Sequence, residues 1–161
     1  MEYYIQDYGV RHYAGIMAEG GISLINISER QKIKETWRFF YEYILEALPE
    51  RVSPQYYIGL DWYGDDYQER RAYDYMVLAQ VKEEFEDYGN IIYRTLPEGK
   101  YVVFPMIYDY IRIMKQKAYI LIKKHKINVD YTFEFIEYLP DQNYMDPEAI
   151  VNFCMKIVDV H

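Results

Sequence analysis

The residues with chemical potential lie on two stretches that alternate in side-chain character. Over 55–63, Ile58, Leu60 and Trp62 share one side of an expected strand, and Tyr57, Gly59, Asp61 and Tyr63 share the other. Over 132–139, Glu134, Ile136 and Tyr138 share a side, with Phe133, Phe135, Glu137 and Leu139 opposite. Aligning Leu60-Asp61-Trp62-Tyr63-Gly64 with Ile136-Glu137-Tyr138-Leu139-Pro140 equates Asp61 with Glu137. The expected ligand-binding set is therefore Glu137, Asp61, Tyr57, Tyr63, Phe133 and Phe135. Carboxylates in an aromatic cleft are costly unless paired, so this set points to a cationic ligand or to proton chemistry. Glu134 breaks the apolar pattern of its own side and is the alternative acidic selector.

Other chemistries have little support. His12, His125 and His161 are scattered, without Cys or carboxylate at metal-ligand spacing, so no metal and no cofactor is expected. The three serines form no nucleophile elbow, and Gly20-Gly21 lacks the spacing of a phosphate loop. Cys154 is read as a small buried apolar residue. The 21 tyrosines are the unusual feature of the composition, and they favour a surface that meets a partly polar ligand.

Two amphipathic helices and a set of strands must position these groups. The first helix is expected from a capping box at Ser28 with Gln31, carrying the stripe Ile33, Trp37, Phe40, Tyr41, Ile44 and Leu48. The second is expected from about Ile107 to His125, with the stripe Ile107, Ile111, Met114, Ala118, Leu121 and Ile122 and lysines at its C-terminal end. Strands are expected at Glu2–Ile5, Arg11–Met17, Gln55–Tyr63, Tyr73–Val81, Ile91–Leu96, Lys100–Met106, Thr132–Leu139 and Asn152–Val160, with turns between them that include Pro140–Asn143. Lys82–Tyr88 reads as a short helix or a linker.

The order strand, strand, helix, strand, strand occurs twice, over about 1–81 and 91–160. Tyr3-Tyr4-Ile5 and Tyr13-Ala14-Gly15-Ile16 match Ile91-Ile92-Tyr93 and Tyr101-Val102-Val103-Phe104 at an offset of 88 residues; the Asp61 segment matches at 76. The expected fold is α+β, a duplicated β-α-β-β unit in a single domain over 1–161. Its antiparallel sheet carries two long helices on one face and an open, concave ligand cleft on the other.

The 161 residues carry a net charge of -8, which argues against direct nucleic-acid binding. No apolar run is long enough to span a membrane, no secretory signal is evident, and the single cysteine fits a reducing compartment, so a cytoplasmic location is expected.

Leu96-Pro97-Glu98-Gly99-Lys100-Tyr101-Val102-Val103-Phe104 resembles a recurring strand of GyrI-like domains, and Phe135-Ile136-Glu137-Tyr138-Leu139-Pro140 resembles that family's late acidic strand. Trp37 matches a tryptophan often found in the first helix, and Met155-Lys156-Ile157 resembles the final strand. The family includes effector-binding domains of AraC- and MerR-type multidrug regulators and stand-alone gyrase-inhibitor-like proteins. The resemblance implies an acidic residue within aromatic walls that meets lipophilic cations; Glu137 is the nearest match and Glu134 the alternative. The chain leaves no room for a helix-turn-helix, so a stand-alone effector-binding protein for aromatic, cationic or amphipathic small molecules is expected. Two other readings stay open. One is a hydrolase of strained-ring compounds, with Glu137 as base and a tyrosine as proton donor. The other is an acidic interaction protein whose partner is a regulator or gyrase.

Overall fold

The computed structural model describes residues 1–142 and 146–159. Asn143, in an expected turn, Val160, at the expected end of the last strand, and His161 lie outside the described residues. The elements run β1 (Tyr4–Tyr8), β2 (Arg11–Met17), β3 (Ile22–Ser23), α1 (Gln31–Phe39), β4 (Tyr57–Trp62), α2 (Tyr67–Arg70), β5 (Ala72–Val81), β6 (Ile92–Leu96), β7 (Gly99–Ile107), α3 (Ile111–Lys124), β8 (Phe133–Tyr138) and β9 (Ile150–Lys156). This is an α+β fold: one curled antiparallel sheet with two long helices. The expectation missed β3 and α2, which are two and four residues long.

The first helix begins earlier than its expected capping box. Asn26, not Ser28, is the cap: its side chain accepts the Ser28 amide at 3.1 Å and the Ser28 hydroxyl at 2.6 Å. A 3-10 turn at Ile27–Arg30 leads into α1, which continues through a π-helical turn at Phe40–Ile44. Trp37, Phe40, Ile44 and Leu48 of the expected stripe are buried. In the π turn the stripe drifts, so Leu45 joins Ile44 against the sheet. In α3, Ala118 and Ile122 are buried, and Lys123 and Lys124 complement the helix dipole in its last turn. Residues 82–88 form an irregular connection rather than a helix.

The sheet order is β1-β7-β9-β8-β4-β5-β2-β6, with β3 added beside β5. Read from either end, it gives the same succession of equivalent strands. The first strand of each half pairs with the other half, and β4 and β8 meet at the centre. The registers of the outer strands keep the offset of 88 residues. Carried inward through β5 and β9, they relate β4 to β8 at 77 residues, one more than the sequence alignment used. Because strand side chains alternate, that single residue moves every partner to the opposite face.

Both helices pack on one face. Trp37, Phe40 and Ile44 share a core there with Ala118, Ile122, Val77, Tyr138 and Phe153. The other face holds a second core of Tyr13, Ile58, Leu60, Leu78, Tyr101, Val103, Phe133, Phe135 and Cys154. The sheet curls around this second core far enough for Arg11 on β2 to lie over the rings of Tyr8 on β1 and Tyr101 on β7. The concave face expected to be an open cleft is therefore filled. Twisted strands curling toward one another bury the apolar side chains on the inside, with no helix needed to cover them. No helix among the described residues is long and apolar enough to cross a membrane.

Candidate ligand-binding site

The central strands β4 and β8 form a seam beneath the two helices. On the helix-facing side the seam carries Tyr57, Gly59 and Asp61 from β4, and Glu134, Ile136 and Tyr138 from β8. Tyr57 packs edge-on against Phe40 and Tyr41, and Trp37 packs edge-on against Tyr138 at 4.7 Å. This reverses the expected side for β4: Ile58 and Leu60 face the concave core, and Tyr57 and Asp61 face the helices. The expected twofold mates Asp61 and Glu137 lie on opposite faces. Asp61 stands directly across from Glu134, and Glu137 stands across from Ile58.

Two carboxylates side by side in a buried seam repel unless a cation joins them. Lys115, a little over one turn into α3, supplies it. Its ammonium lies 2.5 Å from Glu134 Oε2 and 3.4 Å from Asp61 Oδ2, and 5.1 Å from the centre of the Phe153 ring. One turn further along the same helix face, the Tyr119 hydroxyl donates to Glu134 Oε1 at 2.5 Å. The side chains of Asp61, Lys115 and Glu134 are 13%, 19% and 4% exposed, so the triad is shielded from water. With all three groups ionised it carries one excess negative charge.

Burial pushes the Asp61 carboxyl up, Lys115 pulls it back and Glu134 adds to the rise, leaving it at about 7. Burial alone would push the Lys115 ammonium down, but the charges of Asp61 and Glu134 outweigh it and hold it above its usual range. Burial and the nearby carboxylates raise Tyr63, Tyr73 and Tyr119, so all three stay protonated donors.

An aromatic wall flanks the triad. Tyr63 meets Tyr67 and Tyr73 at ring separations of 5.3 and 5.2 Å. Tyr75, the β5 partner of Asp61, accepts a hydrogen bond from Trp37 Nε1 at 2.8 Å. The Tyr75 hydroxyl lies over Gly59, where a Cβ would come within 2.5 Å of it, so the floor needs glycine at this point. Sequence reasoning missed Lys115, Tyr119, Tyr73 and Tyr75. A lysine at 115, four residues before Tyr119, interrupts the Ile111–Met114–Ala118 stripe, and that was the available signal.

The remaining expected site residues form a separate group. Phe133, Phe135 and Glu137 face the concave core. Glu137 lies 3.6 Å from Arg11 and accepts from Asn152 Nδ2 at 3.3 Å. The Arg11 guanidinium lies 3.7 Å above the Tyr8 ring. Burial raises the Glu137 carboxyl, with Asn152 and Arg11 opposing the rise. Glu137 thus has its own internal cation on a face without an opening toward the seam.

A cavity of about 910 Å³ lies apart from both groups, on the outer flank of α1, lined in part by Met17, Glu19, Lys32, Glu35, Phe39 and Ile92. Among the described residues, no cluster of three or more His, Cys, Asp or Glu could hold a metal ion.

Comparison with solved structures places the fold in a known architecture. The C-terminal domain of EcmrR superposes with a TM-score of 0.71 at 15% identity, covering 99% of this chain and 98% of that one. The chain has the fold of that regulator domain. SAV2435 bound to tetraphenylphosphonium gives a TM-score of 0.70 at 18% identity, covering 98% of this chain and 94% of the other. A hydrolase from Listeria innocua gives 0.57 at 12% identity, with coverage of 98% and 92%. No protein-family profile and no curated protein sequence matches the chain. The regulator-domain fold agrees with the GyrI-like architecture that the sequence motifs resemble.

Proposed function

We propose that the chain is an effector-binding protein whose ligand is an aromatic or lipophilic organic cation, held in the seam between the two helices. The observation that carries this reading is the buried Asp61–Glu134 pair, two carboxyl groups that share the single internal cation Lys115 and are flanked by tyrosine rings. Aromatic faces attract cations by about 0.5–2 kcal/mol each, and a buried carboxylate adds charge complementarity that a neutral compound cannot use. The proposal takes Glu134, the alternative acidic selector, together with Asp61 and Tyr63. It leaves Phe133, Phe135 and Glu137 to the concave core. The ligand described for SAV2435, a lipophilic phosphonium cation, supports the chemical class.

The test is a titration of tetraphenylphosphonium followed by tryptophan fluorescence. Saturable binding is expected in the wild type, and its loss in a folded Asp61→Asn/Glu134→Gln double variant. Undiminished binding in that variant would place the ligand elsewhere, with the flank cavity beside Phe39 as the next candidate.

A second reading, hydrolysis, draws on the Tyr119–Glu134 hydrogen bond, which joins a proton donor to a potential base. Lys115 counts against it, because a carboxylate already bound to an ammonium is a weak base. Product formation from a strained-ring substrate, lost in both Tyr119→Phe and Glu134→Gln, would favour this reading over binding alone.

A further inference from the structure

We propose that the Lys115 ammonium is the resident occupant of the cation site, and that an organic cation binds by displacing it toward solvent. This inference rests on the binding function proposed above and identifies the residue that sets its selectivity. The surroundings of Nζ are those a guest cation would need: Glu134 at 2.5 Å, Asp61 at 3.4 Å and the Phe153 ring face at 5.1 Å. A lysine held this way is a tethered ligand at high effective concentration, and it competes with every free cation.

The Lys115 side chain retains 19% exposure, and its ammonium lies among Asp61, Glu134 and Phe153. Rotation about its side-chain bonds would carry the head out past the exposed residues Arg112 and Gln116. Glu134 would keep its Tyr119 hydrogen bond throughout, so the floor would survive the exchange. The structure also gives a selection rule. A guest must offset the loss of two ion-pair contacts, so a neutral compound of similar shape has no means to open the site. A permanently charged cation with aromatic groups has both the charge and the ring contacts to do so. Co-binding beside a stationary Lys115 makes the opposite demand on the lysine, since the guest would cover it further.

Two measurements separate these cases. Lys115→Met keeps the length of the side chain and removes the charge. It should tighten tetraphenylphosphonium binding at least tenfold and leave triphenylphosphine oxide within about threefold. In the wild type, amine acylation at pH 8.5 read by peptide mass spectrometry should be slow at Lys115 and should accelerate several-fold when tetraphenylphosphonium saturates the protein. Tetraphenylphosphonium binding with unchanged or slower acylation of Lys115 would overturn displacement while leaving the binding function intact. Failure of both the wild type and Lys115→Met to bind would overturn the inference and the binding function together. The acylation readout uses only the wild type, so it decides the question even if Lys115→Met folds poorly.

Discussion

Asp61 and Glu134 face each other across the central strand pair, and the twofold relation between the halves carries that pair onto Tyr57 and Tyr138. One end of the seam thus bears two carboxylates, and the equivalent end bears two aromatic rings. The ring end is filled by α1 and the π-helical turn that continues it, through Trp37, Phe40 and Tyr41. The acidic end is filled by α3 through Lys115 and Tyr119. The same backbone geometry has become packing on one side and charge chemistry on the other.

Asp61 makes stability depend on pH. Its carboxyl stands at about 7 in the folded chain, above the ordinary value of about 4. Between those values the folded state holds a proton that the unfolded state has lost. The contribution is therefore fully present below about pH 4 and declines as pH rises through 7, by at most about 1.4 kcal/mol per pH unit. Asp61→Asn should remove this component of the slope and melt higher than the wild type above pH 7, as checked by thermal denaturation across pH 5–8. Cation affinity should run the other way. It should rise over pH 6–8 as Asp61 ionises, while Lys115 and Tyr119 from α3 and Tyr63, Tyr73 and Tyr75 beside it, all raised, stay protonated.

The Arg11–Glu137 pair joins β2 to β8 across the concave core, at 3.6 Å and with both side chains nearly buried. Removing one partner strands the other charge, so Arg11→Met should cost about 3–5 kcal/mol in urea denaturation. Adding Glu137→Gln to that variant should restore part of the loss. Tetraphenylphosphonium affinity should change little in the folded double variant, because this pair faces away from the seam.

The strand pattern, both helices and the sheet class were legible because period-2 and period-3.6 apolar repeats survive even where identity between the halves is low. Arg11–Met17 was bounded correctly, and Gln55–Tyr63 to within two residues. The faces of the central strands were not legible. Both sides of β4 are buried, one under helices and one in the curl, so Tyr57 and Ile58 carry no polar-versus-apolar contrast to mark inside from outside. An alignment one residue short then joined Asp61 to Glu137 in place of pairing it with Glu134. Glu134 stands out in the sequence by its break in the apolar pattern. Its counter-ion sits on a distant helix, where Lys115 breaks the apolar stripe but no sequence spacing links it to Glu134.

Gly59 and Tyr75 are fitted to each other. Gly59→Ala would drive the Tyr75 hydroxyl from its place and break its hydrogen bond with Trp37, at a cost of about 1–3 kcal/mol. Adding Tyr75→Phe should recover part of that loss, since the closest clash is with the hydroxyl oxygen. Denaturant midpoints of the two single variants and the pair would show the coupling.

Trp37 is a wall of the fold, 1% exposed against Tyr138 and Tyr41. Trp37→Ala should lower stability by about 3–5 kcal/mol. An unchanged denaturant midpoint together with lost ligand binding would reassign it as a ligand contact.

The central claim is that buried negative charge at Glu134 and Asp61 selects the ligand. Calorimetric titration of wild type and Glu134→Gln with tetraphenylphosphonium and with triphenylphosphine oxide tests it most directly. The substitution keeps the side chain's shape and removes its charge. It should weaken the cation by about 1.5–3 kcal/mol, roughly ten- to more than a hundredfold, and the neutral compound by less than about threefold. Equal losses for both compounds, or no loss for the cation, would contradict the claim.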